Sequence, residues 1–424
     1  MARNVSYRDF DWLLFAFVLL ICALGVLEIY SATYHTKFAG VHVKQMYWIA
    51  AGVFAMFIIS LLDYQLLLDN VHWMYLVAIG SLLSVMVFGQ KYLGARRWIK
   101  FPGGQHFQPS EWVKLILILA VAKYFADMRQ KELSFFDLIK AGLLVGVPML
   151  MVLGQPDLGT ALTYIPIALM GIYLGGLRAK HATIILLAAA MAMPAAWHVL
   201  KPYQRDRLTS FMQPEADRQG SGYQVIQSKI AVGAGGIWGR GFAKGTQTHG
   251  MFLPVPQTDF IFAAFAEEHG FVGAMGVLLL YFMVLMRLIQ NAQTAPDRAG
   301  AFVVMGVVAV LAFHVLINVG MVVGFMPVTG IPLPLMSYGG SSVLFTFLAL
   351  GIVMNIRSRR SPPPSPRPPG STGPRSPPAV SCSCTTRPAS AAGRGRCASS
   401  STSAPTWSRR SPRTRCWARS PGPG

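Results

Sequence analysis

The chain has 424 residues, of which 53% are hydrophobic and only 13% charged, about half the charged share of a soluble domain. That excludes an ordinary soluble enzyme, and repeated apolar runs of about 18–22 residues match the hydrocarbon thickness of a bilayer. The formal charge of +20 does not mark a nucleic-acid binder: residues 361–424 hold ten arginines and no acid, leaving +10 for residues 1–360.

In chain order, the apolar runs predict ten membrane helices, at 11–33, 45–62, 70–89, 109–126, 135–153, 158–176, 181–200, 259–287, 300–323 and 338–356. The expected fold class is an all-α polytopic membrane protein with a long extracytoplasmic loop, residues 201–258, between helices seven and eight. The first run, Trp12 to about Tyr30, lacks a small-residue cleavage site and reads as a span, not a signal peptide. Within the long loop, YQVIQSKIAVGAGG spaces Val225, Ile226, Ile230 and Val232 as a short amphipathic helix at the membrane surface. Residues 1–360 form the membrane domain. Residues 361–424 use nine residue types and contain no Leu, Ile, Phe or Met, so they cannot bury a core. This tail is expected to be disordered, and its composition suits a shifted reading frame in a G/C-rich gene. Four of the five cysteines lie in it; Cys382 and Cys384 form a C-x-C without histidine, which is not a zinc pattern.

Lysines and arginines in the short loops set the orientation. With the N-terminus inside, eleven fall on the inner side, among them Arg3, Arg8, Arg129 and Lys131. Six fall outside: Lys37, Lys44, Lys91, Arg96, Arg97 and Lys100. The N-terminus is therefore expected to be cytoplasmic. The unusual polar stretches then share the outer face: GARRWIKFPGGQHFQPSEWVK, GQPDLGT, the long loop running into TDF, and PVTGIPLPLMSYGGSS. Their coincidence on one side holds for either orientation and marks that side as the working surface.

Three acids stand near outer helix starts: Glu111, Asp157 and Asp259. Each could merely satisfy helix N–H groups, worth about 0.3–1 kcal/mol. Glu111 could instead pair with Lys114 one turn on and hold its helix in place. Asp259 is harder to dismiss, because Glu267 and Glu268 follow on the same helix, about 12–14 Å deeper at 1.5 Å per residue. Acids at such depth face protein or a wet cavity, so helix eight is expected to line a cavity with Asp259 at its rim. Arg96, Arg97 and Lys100, with Trp98 among them, break the positive-inside trend. They suit lipid headgroups or a phosphate-bearing ligand. Lys229, Arg240 and Lys244 are further basic candidates, and the backbone of Ser337, Gly339, Gly340 and Ser341 could cradle an anion at a helix start. His106, His249 and His269 show no metal-ligand spacing, and His314 reads as a packed polar residue. No Walker, Rossmann or H-E-x-x-H signature appears, which argues against an ATP-driven pump.

Taken together, GARRWI, QPSEWVKL, QPDLGTAL, GSGYQVIQSKIAVGAGG, PQTDFIFAAFAEEHGFVG and VTGIPLPLMSYGGSS resemble the SEDS family (shape, elongation, division, sporulation) over residues 7–357. The short N-terminus, QPDLGTAL and VTGIPLP are closer to its rod-shape branch than to its division branch. The resemblance implies ten helices in the cytoplasmic (inner) membrane and a peptidoglycan glycosyltransferase that polymerises lipid II. It implies a catalytic aspartate in the T-D-F motif, here Asp259. It also implies a class B penicillin-binding protein as transpeptidase partner, within a set of elongation-complex membrane proteins. One departure is LPVPQTDF, where relatives usually carry an acid before the TDF. No resident cofactor is expected with certainty; a divalent cation, Mg2+ or Mn2+, could help offset charge on the departing pyrophosphate. Two other readings share the substrate: a lipid II flippase, which needs polar groups reaching both faces, and a non-catalytic scaffold for the transpeptidase.

Overall fold

The computed structural model describes residues 10–34, 36–92, 95–100, 106–128, 133–199, 202–216 and 220–359. The tail expected to be disordered, 361–424, lies outside the described residues. In chain order the helices are α1 (Trp12–Thr33), α2 (Val41–Leu61), α3 (Tyr64–Asp69), α4 (Val71–Phe88), α5 (Pro109–Ala126), α6 (Phe135–Gly154), α7 (Leu158–Leu162), α8 (Ile165–Leu174), α9 (Ala179–Val199), α10 (Pro202–Met212), α11 (Ser221–Gly235), α12 (Thr246–His249), α13 (Ile261–Gln293), α14 (Arg298–Val323) and α15 (Gly340–Ser358).

Among the described residues, seven of these helices are long and apolar enough to cross a bilayer: α1, α2, α4, α6, α13, α14 and α15. The other three expected spans also occur, with irregularities that have physical causes. The fourth is α5, 18 residues long, which carries Glu111, Lys114 and Lys123 within its length. The sixth, expected as one helix over 158–176, breaks at Thr163–Tyr164 into α7 and α8. Pro166 opens α8; having no N–H, it cannot continue the hydrogen-bond ladder from α7. The seventh is α9, with Pro194 inside it.

α14, α15 and α5 form the centre of the bundle, while α2 and α4 present large apolar side chains such as Phe54, Trp73 and Phe88 outward. Such surfaces are stable against lipid and would be a liability in water. In lipid, close approach replaces the hydrophobic drive between helices. At Gly52 of α2, a Cβ would lie 2.4 Å from the Phe347 ring of α15; at Gly351, a Cβ would lie 2.8 Å from the Met56 carbonyl oxygen. Only hydrogens at those two positions allow α2 and α15 to pack as they do.

The loop between α4 and α5 is not purely irregular. It forms a small antiparallel sheet, β1 (Gln90–Tyr92), β2 (Ala95–Lys100) and β3 (His106–Phe107), in the order β1-β2-β3. Gln90 pairs with Trp98 and Lys91 with Arg96, so Arg97 is the extra residue of a bulge. The described chain is otherwise helical, as expected. A bulge re-aims the side chain it carries, here Arg97.

The largest departure lies in α13. The eighth helix was expected to run unbroken from 259 to 287; it starts at Ile261, and Gly270 interrupts it with φ 68° and ψ −167°. The orphaned backbone groups on both sides are taken up by the glycine-rich stretch after α11. Arg240 and Gly241 N–H donate to the carbonyls of Glu267 and Glu268, at 3.1 and 2.9 Å. Phe271 and Val272 N–H donate to Gly236 and Ile237, at 2.9 and 3.1 Å. A broken helix is tolerated at membrane depth when protein satisfies its backbone in this way. A Cβ on Gly270 would lie 2.2 Å from the Gly239 nitrogen, so both the positive φ and the contact require glycine.

The amphipathic helix expected from YQVIQSKIAVGAGG is α11, but it packs within the protein. Val225, Ser228, Ala231 and Gly235 form its buried face, and Ile230 is exposed. The Ser228 hydroxyl donates to Val225 and Val322 carbonyls at 3.0 Å each, joining α11 to the end of α14. The contact combines the β-branched Val225 with the small residues Ser228, Ala231 and Gly235.

Candidate active site

Asp259 stands two residues before α13, half-buried. The N-cap of α13 is Phe260, and no side chain caps it. Asp259 therefore does not satisfy the N–H groups of this helix, the plain structural role open to it from the sequence. What positions it is the chain around it. Asn318 of α14 donates its Nδ2 to the Asp259 carbonyl at 2.9 Å and to the Ile331 carbonyl at 2.8 Å. That places the VTGIP stretch beside the TDF stretch. Gly330, at φ 72°, has its missing Cβ site 3.4 Å from Asp259 Oδ2, so the carboxylate sits over a residue with no side chain.

The other outer stretches converge on the same place. Asp157 caps α7, accepting from Thr160 N–H at 3.2 Å and from the Thr160 hydroxyl at 2.9 Å. Gln108 donates its Nε2 to the second Asp157 oxygen at 2.9 Å. Arg97 donates to the Pro156 carbonyl and lies 3.7 Å from Asp157. From the long loop, Arg207 of α10 donates to the Thr329 carbonyl at 3.2 Å. Desolvation raises the Asp259 carboxyl above its ordinary value; the Arg207 and Arg97 guanidiniums and a hydrogen bond from Thr258 pull it down, and Asp157 pushes it up. The result is an aspartate of raised pKa in the field of two arginines. The two guanidiniums beside it are forked cations of the kind that meets phosphate oxygens.

The remaining candidates separate from this group by their contacts. Ser337 donates to the Thr258 carbonyl at 2.7 Å and accepts from Leu333 N–H at 2.8 Å. Tyr338 N–H donates to the Gln257 carbonyl, and Gly339 N–H to Gln45 Oε1 of α2. Gly340 packs on the Trp48 indole, and the Ser341 hydroxyl accepts from Gln108 N–H at 3.4 Å. The Tyr338 and Gly339 N–H groups thus serve protein partners and brace the TDF segment, while α15 begins without a side-chain cap. The Lys229 stem lies over Gly324, the left-handed cap of α14, where its charge favours the helix C-terminus. Arg240 and Lys244 are exposed. The backbones of Arg96, Trp98 and Lys100 lie in β2; the side chains of Arg96 and Lys100 lie outside the described residues.

Glu111 and Lys114 form a buried pair with both contacts at 2.9 Å. Lys114 Nζ also lies 3.3 Å from His314 Nε2 and 4.6 Å over the Phe345 ring. His314 Nδ1 is 3.2 Å from the Pro332 carbonyl, which can only accept. The ring proton therefore sits on Nδ1 and leaves Nε2 to receive Lys114. This pair ties α5 to α14 and α15 and, through His314 and the Pro332 carbonyl, to the VTGIP stretch beside Asp259.

Glu267 and Glu268 do not line an open cavity. Glu267 is fully buried and caps α12: it accepts from Thr246 and Thr248 hydroxyls at 3.2 and 2.9 Å, and from Gln247 and Thr248 N–H at 2.7 and 3.1 Å. Glu268 accepts from the Ser31 hydroxyl of α1 and from Ala243 N–H at 3.0 Å. Both hold the long loop against α13. Arg207, Gln108, Gln45 and Asn318 were not singled out from the sequence. Gln108 had a faint signal, being polar just before a Pro-initiated helix; Arg207 had none, since nothing local distinguishes it from other loop arginines.

The sequence profile of the FtsW, RodA and SpoVE family, described as cell cycle protein, matches residues 11–361. The peptidoglycan glycosyltransferase RodA of Treponema pallidum is 32% identical, over 84% of this chain and 99% of its own length. The peptidoglycan glycosyltransferase MrdB of Escherichia coli K12 is 36% identical, over 81% and 92%. A solved chain from a peptidoglycan synthase complex that coordinates polymerization and crosslinking superposes with a TM-score of 0.71 at 35% identity, covering 82% of this chain and 97% of that one. The match over nearly the whole described bundle establishes the ancestry that the outer motifs indicated: this chain is a multi-pass membrane protein of the FtsW/RodA/SpoVE family.

Proposed function

We propose that this chain is a peptidoglycan glycosyltransferase of cell elongation that polymerises lipid II in the cytoplasmic membrane. The observation that carries this reading is Asp259, held half-buried where four outer stretches meet, with Arg97 and Arg207 acting on its carboxylate. The names of the relatives support the same activity.

In the proposed reaction, the 4-hydroxyl of an N-acetylglucosamine attacks C1 of an N-acetylmuramic acid on the other substrate. Asp259 takes the hydroxyl proton as general base. The C1–O bond to phosphate breaks, its electron pair leaves with undecaprenyl pyrophosphate, and the anomeric centre inverts from α to β. Arg97 and Arg207 supply positive charge for the departing pyrophosphate. A Mg2+ or Mn2+ at this site would need only one or two carboxylates, such as Asp259 and Asp157, together with phosphate oxygens and water, and would help offset charge on the departing group. The arginines carry the charge in this mechanism.

The distribution of loop lysines and arginines supports a cytoplasmic N-terminus and an extracytoplasmic active site. A class B penicillin-binding protein is the proposed partner, in keeping with the synthase complex to which a structural neighbour belongs, alongside other elongation-complex membrane proteins.

Purified full-length protein in detergent, given labelled lipid II without a transpeptidase, tests the activity. Glycan strands support the polymerase. Their absence, together with transbilayer lipid II movement in vesicles, would replace it with a flippase; neither activity would leave a scaffold.

A further inference from the structure

A second cluster of ionisable groups lies beside the Gly270 break. Glu28 of α1, Glu268 and His269 offer ligand atoms that all fall within 4.8 Å of one another. Glu28 and Glu268 are fully buried, and His269 is partly exposed. His269 Nδ1 lies 3.8 Å from Glu28 Oε2 and 3.3 Å from the Phe265 carbonyl, a contact that ligation through Nδ1 would replace; His249 Nε2 of α12 lies 3.7 Å from Glu268 Oε1. Both oxygens of Glu28 are buried without a hydrogen-bond partner. Glu268 has two donors, the Ser31 hydroxyl and Ala243 N–H, and the neighbouring Glu267 is occupied in capping α12.

Three carboxylates therefore gather in a buried place, and among the described residues the side chains within ion-pairing reach of Glu28 and Glu268 are His269 and His249. Burying an uncompensated carboxylate is strongly unfavourable. A structural network would aim a donor at each Glu28 oxygen, as the loop does for Glu267. Here the empty side of Glu28 points into a group that already contains a second carboxylate and an imidazole.

We propose that Glu28, Glu268 and His269 bind a divalent transition cation of the Zn2+ or Mn2+ type, with His249 placed to add a fourth ligand. Mixed carboxylate and imidazole donors suit these ions, whose bonds to such ligands are about 2.0–2.2 Å. The cation neutralises the paired carboxylates and joins α1, the end of the first half of α13, and the loop that carries α12. It is a clamp on the broken helix, about nine residues along α13 from Asp259, or about 13 Å by helical rise. It is independent of the reaction assigned to Asp259.

The test uses full-length protein purified in detergent, stripped with EDTA and titrated with Mn2+, following loss of the free-ion paramagnetic resonance signal. A single Mn2+ site, displaced by Zn2+, is expected in the wild type and in Asp259→Asn. Glu28→Gln and His269→Gln should each weaken it by about 10–100-fold, the range seen even when outer-shell partners are lost. Mn2+ and Zn2+ should also raise the unfolding temperature of the wild type but not of Glu28→Gln. If Glu28→Gln does not fold, His269→Gln carries the comparison. Absence of binding, binding unchanged in the folded variants, or loss confined to Asp259→Asn overturns the assignment. A metal-independent gain in stability in Glu28→Gln would replace the cation with a protonated Glu28.

Discussion

Asp11 and Asp259 look alike in sequence, each an aspartate just ahead of a long apolar helix. Their surroundings differ completely. Asp11 is buried and caps α1 through Leu14 N–H at 3.2 Å. It also accepts from Arg287 Nε at 3.1 Å, from Asn291 Nδ2 at 3.0 Å, and from Arg357. Its oxygens are fully engaged in fastening the starts and ends of α1, α13 and α15. Asp259 caps nothing, remains half-buried, and feels Arg207 and Arg97 through space. One carboxylate stabilises the bundle; the other is held in place by its backbone and caps no helix, which is what the proposed general base requires. The arrangement of partners, not the residue or its place before a helix, separates the structural acid from the one proposed to do chemistry.

The most direct way to break the comparison is Asp259→Asn. As a structural residue it would tolerate the change; as a general base it loses about 10²–10⁴-fold in rate. We expect folded, membrane-inserted protein that binds lipid II and makes almost no glycan, read in the polymerisation assay. Near-normal synthesis would make Asp259 another Asp11.

The Glu111–Lys114 pair comes next. Both groups are nearly inaccessible, so removing one partner should cost about 3–5 kcal/mol, measured by thermal unfolding in detergent. Exchanging the two residues should recover only part, because the new carboxylate would face the Phe345 ring that now receives Lys114. Additive losses with no recovery would argue against coupling.

Asp11→Asn should lower stability by a smaller amount, about 2 kcal/mol, since Arg287 and Arg357 are partly solvent-exposed and screened. Its glycan synthesis per folded molecule should be unchanged. A loss in rate without a loss in stability would erase the distinction between the two aspartates.

A finer test uses pH. Asp259 must be ionised to accept a proton, and its pKa is raised. Activity should therefore fall on acidification at a pH above the ordinary carboxylate range. Arg207→Gln removes the largest influence that lowers the pKa, so the acid limb should move to higher pH. No movement would sever Arg207 from the site. The smallest effect is expected from deletion after Arg360, which should leave folding and polymerisation unaltered, because residues 361–424 lack apolar anchors. Loss of stable membrane protein on truncation would show otherwise.

Much of this molecule was legible along the chain. Hydropathy sums over a segment, so the ten apolar stretches could be read without knowing any neighbour. The Glu111–Lys114 contact was equally local, a spacing of three on one helix. The clustering of unusual polar motifs in alternate loops pointed to one face, and TDF within it to Asp259. The tertiary structure alone decided the rest. Glu267 and Glu268 are adjacent in sequence, yet one caps α12 and the other meets α1, because the chain 20 to 25 residues upstream folds back on them. Glu28 acquires its neighbours from 240 residues away. Gly270 breaks α13 because the Gly236–Gly241 stretch supplies the backbone partners that a lone helix would lack. Arg207 reaches Thr329 only after α10 is laid against the outer loops. Helix formation and membrane burial follow from local composition. The charge state and reactivity of an acid depend on groups that distant segments bring within a few ångströms, and no local pattern encodes those distances.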